Sequence, residues 1–330
     1  MGSGTLRSSL VPVAREPRPC TSVVIPFLST AHLNDVENMT AQKIDGKTIS
    51  RKIQAEIGEA ASKFFDETGV KPKLAAVLVG EDPASQVYVR NKERACARSN
   101  IDSELFRMPA SSTTKEVVDL VEKLNNDPKV HGILVQLPLP DQVDALQVLD
   151  TVNPKKDVDA FHPENVGLLS QGRPRFLPCT PFGIVHLLAQ SGIETSGKNV
   201  CIVGRSDIVG KPMALMLAQR DSELGSQYAN ATVSLCHSRT KDLAAYTGMA
   251  DILIAAIGKA EFIKAEHIKP GAVVIDVGIN RTDDGLVGDV DFAAASSVAS
   301  QVTPVPGGVG PMTVTILLDN TLKAARLQQA

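Results

Sequence analysis

The sequence predicts an α/β protein of two domains, and three observations carry that prediction. Short apolar runs bounded by turn residues alternate with segments of helical periodicity, the pattern of a parallel sheet covered on both faces. The chain has 330 residues, enough for roughly two domains of about 150 residues each. One strand-to-helix connection, at Gly204, carries glycines of the kind that let such a sheet approach phosphates.

The elements follow in order. Ile49, Ile53, Ile57, Ala60 and Phe64 recur at helical spacing over Thr48–Phe65, and Gly69 terminates that helix. Leu74–Val79 is a short apolar strand, Ala84–Arg98 a helix and Leu105–Met108 a strand. Thr113 with Glu116 forms a capping box that opens a helix carrying Val117, Val118, Val121 and Leu124. Gly132–Leu137 is a continuous apolar strand ending near Gln136, and Asp141–Leu149 is helical. Thr180-Pro181 reads as N-cap and first residue of a helix that runs to about Gln190 and stops at Gly192.

A second series succeeds it. It comprises strand Asn199–Val203, helix Met213–Gln219, strand Ala231–Leu235, a helix near Lys241–Tyr246, and strands Asp251–Ala256 and Ala272–Val277. A last helix presents Val314, Leu317, Leu318, Thr321 and Leu322 on one face. The expected domains are 39–180 together with 311–330, the final helix packing back on the first half, and 181–310.

Residues 1–38 differ from the rest, with Arg7, Arg15, Arg18, Pro12, Pro17 and Pro19 and no usable periodicity. They are set apart as a disordered leader, a transit segment or a mis-assigned start. The corresponding expectation is a cytoplasmic protein, or an organellar one if they form a transit peptide.

Composition excludes several function classes. The net charge is −3, Trp is absent and aromatics make up 4%, so neither a nucleic-acid surface nor a base-stacking platform is expected. No apolar run reaches the ~18 residues of a membrane span. Cys20, Cys96, Cys179, Cys201 and Cys236 are scattered without C-x-x-C spacing. That pattern argues against a disulfide framework and a zinc site and fits a reducing compartment. No metal is expected.

The chemistry-bearing stretches are few. Thr303–Thr313 combines three prolines, three glycines and no charge. Such a run is stiff and slim, either a rigid turn or a wall against a flat ligand. As a wall it predicts that Gly308→Val lowers turnover without unfolding the chain. Gly204-Arg205-Ser206 opens a turn to Gly210 that is neither G-x-G-x-x-G nor a P-loop. The following strand end carries Ser238 and Arg239 and no acid. With Arg205 they suit a 2′-phosphate, which favours NADP over NAD; a solvated surface cluster is the alternative.

Tyr88 and Lys92 share a helix face. A tyrosine flanks flat rings and a desolvated lysine shuttles protons, although a surface pair is the plainer reading. Gln136 holds a lysine without neutralising it, or is simply a satisfied strand end. Asp157 and Asp159 either cap turns or grip ring N–H groups, and His162 reads as structural.

Several long stretches occur together in order. They are Tyr88-Val-Arg-Asn-Lys92, Gly132-Ile-Leu-Val-Gln-Leu-Pro-Leu-Pro140, Lys156-Asp-Val-Asp159, Pro178-Cys-Thr-Pro181, Gly204-Arg-Ser206, Asp276-Val-Gly-Ile-Asn280 and Pro304 to Thr313. On them the chain resembles the methylenetetrahydrofolate dehydrogenase/methenyltetrahydrofolate cyclohydrolase family, the FolD proteins, over about residues 42–326. The resemblance implies two α/β domains flanking a cleft, the second Rossmann-like and NADP-binding, and a homodimer. It implies NADP-dependent oxidation of 5,10-methylenetetrahydrofolate followed by hydrolysis to 10-formyltetrahydrofolate. Tetrahydrofolate derivatives are then its partners, with no nucleic acid and no membrane.

By position, the resemblance makes Lys92 the general acid/base, Tyr88 the pterin flank, Gln136 the orienting amide and Asp159 the pterin anchor. Val135, Leu137 and Pro306, Gly307, Gly308, Val309 and Gly310 line the folate. Gly204, Arg205, Ser206, Ser238, Ile279 and Thr313 contact NADP. Alternatives are a dehydrogenase with weak or no cyclohydrolase activity, and an idle NADP/folate-binding protein. The chain departs from the family pattern at Ala160, where glycine is usual, and in a lengthened segment, Asp221–Asn230.

Overall fold

The computed structural model describes residues 40–329; the leader at 1–38 and Cys20 lie outside the described residues. The chain begins with β1 (Gln42–Lys43) and α1 (Gly46–Thr68). Asp45 caps α1 by accepting the N–H groups of Lys47 and Thr48, and Gly69 closes it at φ 70° with its N–H on the Phe65 carbonyl. Next come β2 (Lys73–Val79), α2 (Pro83–Arg98), β3 (Asp102–Met108), α3 (Thr114–Asn126), β4 (Gly132–Val135), α4 (Ala145–Thr151), α5 (Pro163–Ser170) and α6 (Cys179–Gln190). The capping box at Thr113 and Glu116 forms as its sequence predicts.

Strands β2, β3 and β4 make a parallel sheet in the order β3-β2-β4. Side chains alternate along it with the period of two that a strand imposes. Ala75, Val77, Val79 and Ile133 meet Val117 and Val121 of α3. Leu74, Ala76 and Leu134 belong to the large core on the opposite face. Burial on both faces is why these strands read as unbroken apolar runs.

The second half supplies β5 (Asn199–Val203), α7 (Gly210–Ala218), β6 (Thr232–Cys236), α8 (Leu243–Thr247), β7 (Ile252–Ala255), β8 (Val273–Asp276), β9 (Asn280–Thr282), β10 (Gly285–Val287), α9 (Phe292–Ser296), β11 (Gln301–Val302) and α10 (Val309–Gln329). Six strands form a parallel sheet in the order β1-β11-β8-β7-β5-β6, and β9 and β10 pair as a separate antiparallel hairpin. Helix α10 packs on α6, α1 and α2. It is buried on most of its circumference, as a helix threaded through a core must be.

Both parallel sheets reverse direction of growth. From β2 the chain adds β3 on one side and β4 on the other; from β5 it adds β6 on one side and β7 on the other. Each reversal leaves a crevice at the strands' C-terminal ends, where ligands bind in such sheets.

Some sequence expectations shift. Helix α4 starts at Ala145 rather than Asp141, because the Asp144 carboxylate caps Leu146 and Gln147. Thr180 is not an N-cap. Helix α6 begins at Cys179 behind Pro178 without a side-chain cap, and the Thr180 hydroxyl is drawn instead to the Thr313 hydroxyl at 3.0 Å. Helix α7 starts at Gly210 rather than Met213, and α10 starts at Val309 within the Pro/Gly run.

Candidate active site

Helix α2 presents Tyr88 and Lys92 on one face, as their spacing predicts. Lys92 is buried, and its Nζ donates to Gln136 Oε1 at 3.0 Å. Gln136 lies one residue beyond β4, yet its N–H still bonds the Val77 carbonyl at 2.9 Å. Its Nε2 donates to the Leu137 carbonyl at 2.7 Å. Backbone and side chain are both fixed, so the amide oxygen stays aimed at the lysine. A neutral amide oxygen accepts from Nζ whether the lysine is an amine or an ammonium, so it orients the group without dictating its charge. Tyr88 is half-buried, and burial pushes its phenol pKa up.

Asp159 faces the same space. Burial pushes its carboxyl pKa up, while Lys92 opposes that shift by favouring the ionised form. Its turn is heavily braced. Lys156 is buried and donates to the carbonyls of Leu124, Asn125 and Asp127, closing the end of α3. Asp157 accepts the N–H groups of Phe161 and His162 and the Asn165 side chain. Of the two acids, therefore, Asp157 holds the turn and Asp159 is left to the cavity. His162 caps α5, the structural role its sequence context suggested.

Two more residues brace the turn without having drawn a role from sequence. Asn320 on α10 donates through Nδ2 to the carbonyls of Val158 and Leu177, at 2.8 and 2.9 Å. The buried Cys179 thiol donates to the Val158 carbonyl at 3.4 Å. Ala160 sits at φ 61°, a left-handed conformation that suits the glycine usual in the family.

A cavity of about 320 Å³ gathers most of the predicted site: Tyr88, Lys92, Val135, Gln136, Leu137, Asp159, Ile279, Val309, Gly310 and Thr313 line it. Ile208 and Val209, from the end of the nucleotide turn, also line it. A second cavity of about 600 Å³ shares Tyr88, Ile279 and Gly310 and adds Pro306, Gly307 and Gly308. Gly204, Arg205, Ser206 and Ser238 line neither cavity.

The glycines of the Pro/Gly run differ from one another. A Cβ on Gly308 would stand 2.7 Å from the Pro304 carbonyl oxygen and 2.8 Å from Thr303 Cβ. Gly308 is thus required by packing within the chain, and Gly308→Val would disturb the fold itself, contrary to the sequence expectation. A Cβ on Gly310 would meet only Ile279 Cδ1, at 3.8 Å. Gly310 is the glycine that leaves room in the cavity.

The nucleotide turn is built from backbone. Gly204 takes φ 132°, and a Cβ there would stand 2.0 Å from the Ala256 carbonyl oxygen. A Cβ on Gly210 would stand 1.9 Å from the Gly204 carbonyl oxygen. Both glycines let α7 close on the ends of β5 and β7. Ser206 Oγ accepts the N–H groups of Val209 and Gly210. The N–H groups of Arg205, Ser206, Asp207 and Ile208 bond nothing else among the described residues. That row of free donors ahead of a helix fits the phosphates of a dinucleotide. Arg205, Ser238 and Arg239 are exposed and carry no ion pair among the described residues, which leaves them free for a further phosphate.

A lysine–amide pair at one sheet's crevice and free backbone donors at the other's define an α/β enzyme that uses a dinucleotide. Comparison with known proteins agrees. The model of the tetrahydrofolate dehydrogenase/cyclohydrolase catalytic domain matches residues 44–159, and that of the family's NAD(P)-binding domain matches residues 178–329. "Bifunctional protein FolD" of Rhodopirellula baltica is 62% identical over 298 residues, covering 88% of this chain and 99% of the relative. That of Moorella thermoacetica is 55% identical, covering 87% and 100%. The solved bifunctional FolD of Campylobacter jejuni is 46% identical, covers 87% of this chain and 99% of its own, and superposes with a TM-score of 0.81. FolD of Trypanosoma brucei, solved with NADP cofactor and inhibitor, is 37% identical, covers 87% and 98%, and has a TM-score of 0.80. The chain belongs to the tetrahydrofolate dehydrogenase/cyclohydrolase family.

Proposed function

We infer that the chain catalyses two consecutive reactions in one cavity. The first is NADP-dependent oxidation of 5,10-methylenetetrahydrofolate to 5,10-methenyltetrahydrofolate; the second is hydrolysis of that product to 10-formyltetrahydrofolate. Family membership supports the pair of activities. The observation that carries the site assignment is Lys92 Nζ held 3.0 Å from a fixed, neutral amide inside a cavity bordered by the nucleotide turn.

The two reactions ask different things of the residues. Oxidation removes a hydride from a carbon flanked by two nitrogens, whose lone pairs stabilise the cation formed, so no strong base is required. Bound NADP supplies the hydride acceptor. The chain's part is positioning: Tyr88 flanks the pterin, Asp159 grips its ring N–H groups, and Pro306 to Gly310 with Val135 and Leu137 fix the plane. Reacting atoms must come within about 3–3.5 Å. Hydrolysis adds water to the cationic carbon with loss of a proton; the carbinol O–H then gives up its proton as the carbon–N5 bond breaks and N5 is protonated, which leaves the 10-formyl group. Lys92 is the base within reach, taking the proton lost as water adds while Gln136 holds Nζ in line.

On the cofactor side, the free N–H groups from Arg205 to Ile208 hold the pyrophosphate, Arg205 and Ser238 hold the 2′-phosphate, and Gly204, Ser206, Ile279 and Thr313 complete the contact. Residues 39–180 with 311–330 form the folate-binding part and 181–310 the NADP-binding part. The enzyme works as a cytoplasmic homodimer and supplies formyl groups for purine synthesis. In support of a non-membrane location, no helix among the described residues is long and apolar enough to cross a membrane.

A single time course tests the reading. Purified protein is mixed with methylenetetrahydrofolate and NADP, and reduced cofactor and methenyl absorbance are followed together. A methenyl signal that rises and decays while reduced NADP persists is the expected result. Methenyl that accumulates without enzyme-dependent decay would leave a dehydrogenase alone, and no signal in either channel would overturn the assignment.

A further inference from the structure

Two buried carboxylates near the C-terminal edge of the large sheet have no part in the chemistry above. Asp276 ends β8, and Asp289 lies between β10 and α9. Both are buried, and neither has an ion pair among the described residues. N–H groups meet their charge instead. Asp276 accepts those of Gly278, Asp289 and Val290 at 3.1, 2.9 and 3.0 Å, which sets Asp289 in place. Asp289 accepts four more. Its Oδ2 takes the N–H groups of Ile257 and Gly258 at 2.5 and 2.9 Å. Its Oδ1 takes the Lys259 N–H and the Asn280 side-chain amide, both at 2.9 Å.

Those four donors come from two segments beside the nucleotide turn. Ile257–Lys259 follows β7, and Ala256 just before it presents the carbonyl oxygen that leaves Gly204 no room for a Cβ. Asn280 follows Ile279, which lines the reaction cavity with Lys92. One carboxylate thus ties the segment packed on Gly204 to the segment that carries Ile279. The fit is close: a Cβ on Gly278 would overlap the Asp289 carboxylate, and one on Gly288 would overlap that of Asp276.

Stability alone is a poor reason for the arrangement. Burial, opposed by its N–H donors and reinforced by the charge of Asp289, pushes the Asp276 pKa up to about 7. Apolar packing would brace the same loops without bringing two like charges together. What a carboxylate adds is a rigid set of acceptor sites that fixes several N–H groups at one spacing. We propose that Asp289 is a positioning residue for hydride transfer: through Ile257–Lys259 and Ile279–Asn280 it fixes the surface on which the nicotinamide half of NADP lies. The proposal rests on the NADP assignment above.

Asp289→Asn tests it, since the variant keeps the side chain's size but turns one acceptor into a donor that faces N–H groups. The Kd for NADP, measured by calorimetry, should rise about tenfold, and dehydrogenase kcat should fall about tenfold or more. Cyclohydrolase activity on supplied 5,10-methenyltetrahydrofolate without cofactor should change by less than about twofold. Amide hydrogen exchange should quicken at Ile257, Gly258 and Lys259. Asn280→Ala removes one of the four donors from a half-buried position. It should give the same split at about threefold, and it decides the question if Asp289→Asn does not fold. Asp291→Ala removes the cap of α9 and the ion pair with Lys264 but no bond to either segment. It should lower stability without the split. Equal loss of both activities in a folded variant, an unchanged NADP Kd, or the same split in Asp291→Ala would overturn the proposal. Wild-type protein that binds no NADP would instead overturn the NADP assignment.

Discussion

The crevices of the two parallel sheets are built from different material. At the small sheet, side chains do the shaping: Gln136 fixes the direction of Lys92, and Asn320 braces the turn that carries Asp159. At the large sheet the backbone does it, through Gly204 and Gly210, where no Cβ fits, and through a run of free N–H groups. Proton transfer needs one group at one place, which only an oriented side chain provides. Phosphates need several donors and close approach, which a bare backbone provides. Changes at the first crevice should therefore alter turnover, and changes at the second should alter cofactor affinity.

The largest expected effect separates two glycines of one run. Gly310→Leu fills the cavity shared by both halves, and a displaced substrate should lower kcat by about a hundredfold with the melting temperature held. Gly308→Val should instead cost about 1–3 kcal/mol of stability by overpacking, read from denaturant unfolding. If both variants behaved alike, the distinction between packing glycine and cavity glycine would fail.

Asn320→Ala comes next. It strands the Leu177 carbonyl, leaves the Val158 carbonyl only the weak Cys179 thiol donor, and should cost about 2 kcal/mol. By loosening the Asp159 turn it should also raise the folate KM while leaving the NADP KM in place. A matching rise in the NADP KM would break the division between the crevices.

At the nucleotide turn, Arg205→Ala with Ser238→Ala should raise the KM for NADP about tenfold, the size expected of exposed phosphate contacts, with little change for NAD. An unaltered preference would remove the 2′-phosphate assignment.

The smallest effect is expected at Ala160. Glycine there would relieve about 1–2 kcal/mol of left-handed strain. It would also lose about 0.8 kcal/mol of buried methyl and about 0.4–1 kcal/mol through the freer unfolded chain. Ala160→Gly should change stability by no more than about 0.8 kcal/mol in either direction in chemical denaturation, a near-cancellation of those effects.

Much of this was legible in the sequence where the governing physics is local. Strands buried on both faces appear as apolar runs, and the Thr113 capping box and the Gly69 stop act within a few residues. The pairing of Lys92 with Gln136 was legible through motifs that the family resemblance placed together.

What escaped is tertiary. Thr180 looks like a cap until Thr313, far along the chain, takes its hydroxyl. Asn320 reads as a polar residue on a helix, because the two carbonyls it serves come from other segments. Gly308 and Gly310 are indistinguishable in sequence, and only neighbouring atoms separate them.

The central claim is that one oriented lysine performs the hydrolysis while the oxidation depends on positioning. Lys92→Met measured for both activities on one preparation tests it most directly. Cyclohydrolase activity should fall by about 10²–10⁴-fold, the span of a lost general base, and dehydrogenase activity should fall distinctly less. Equal loss of both activities in a folded protein would contradict the account.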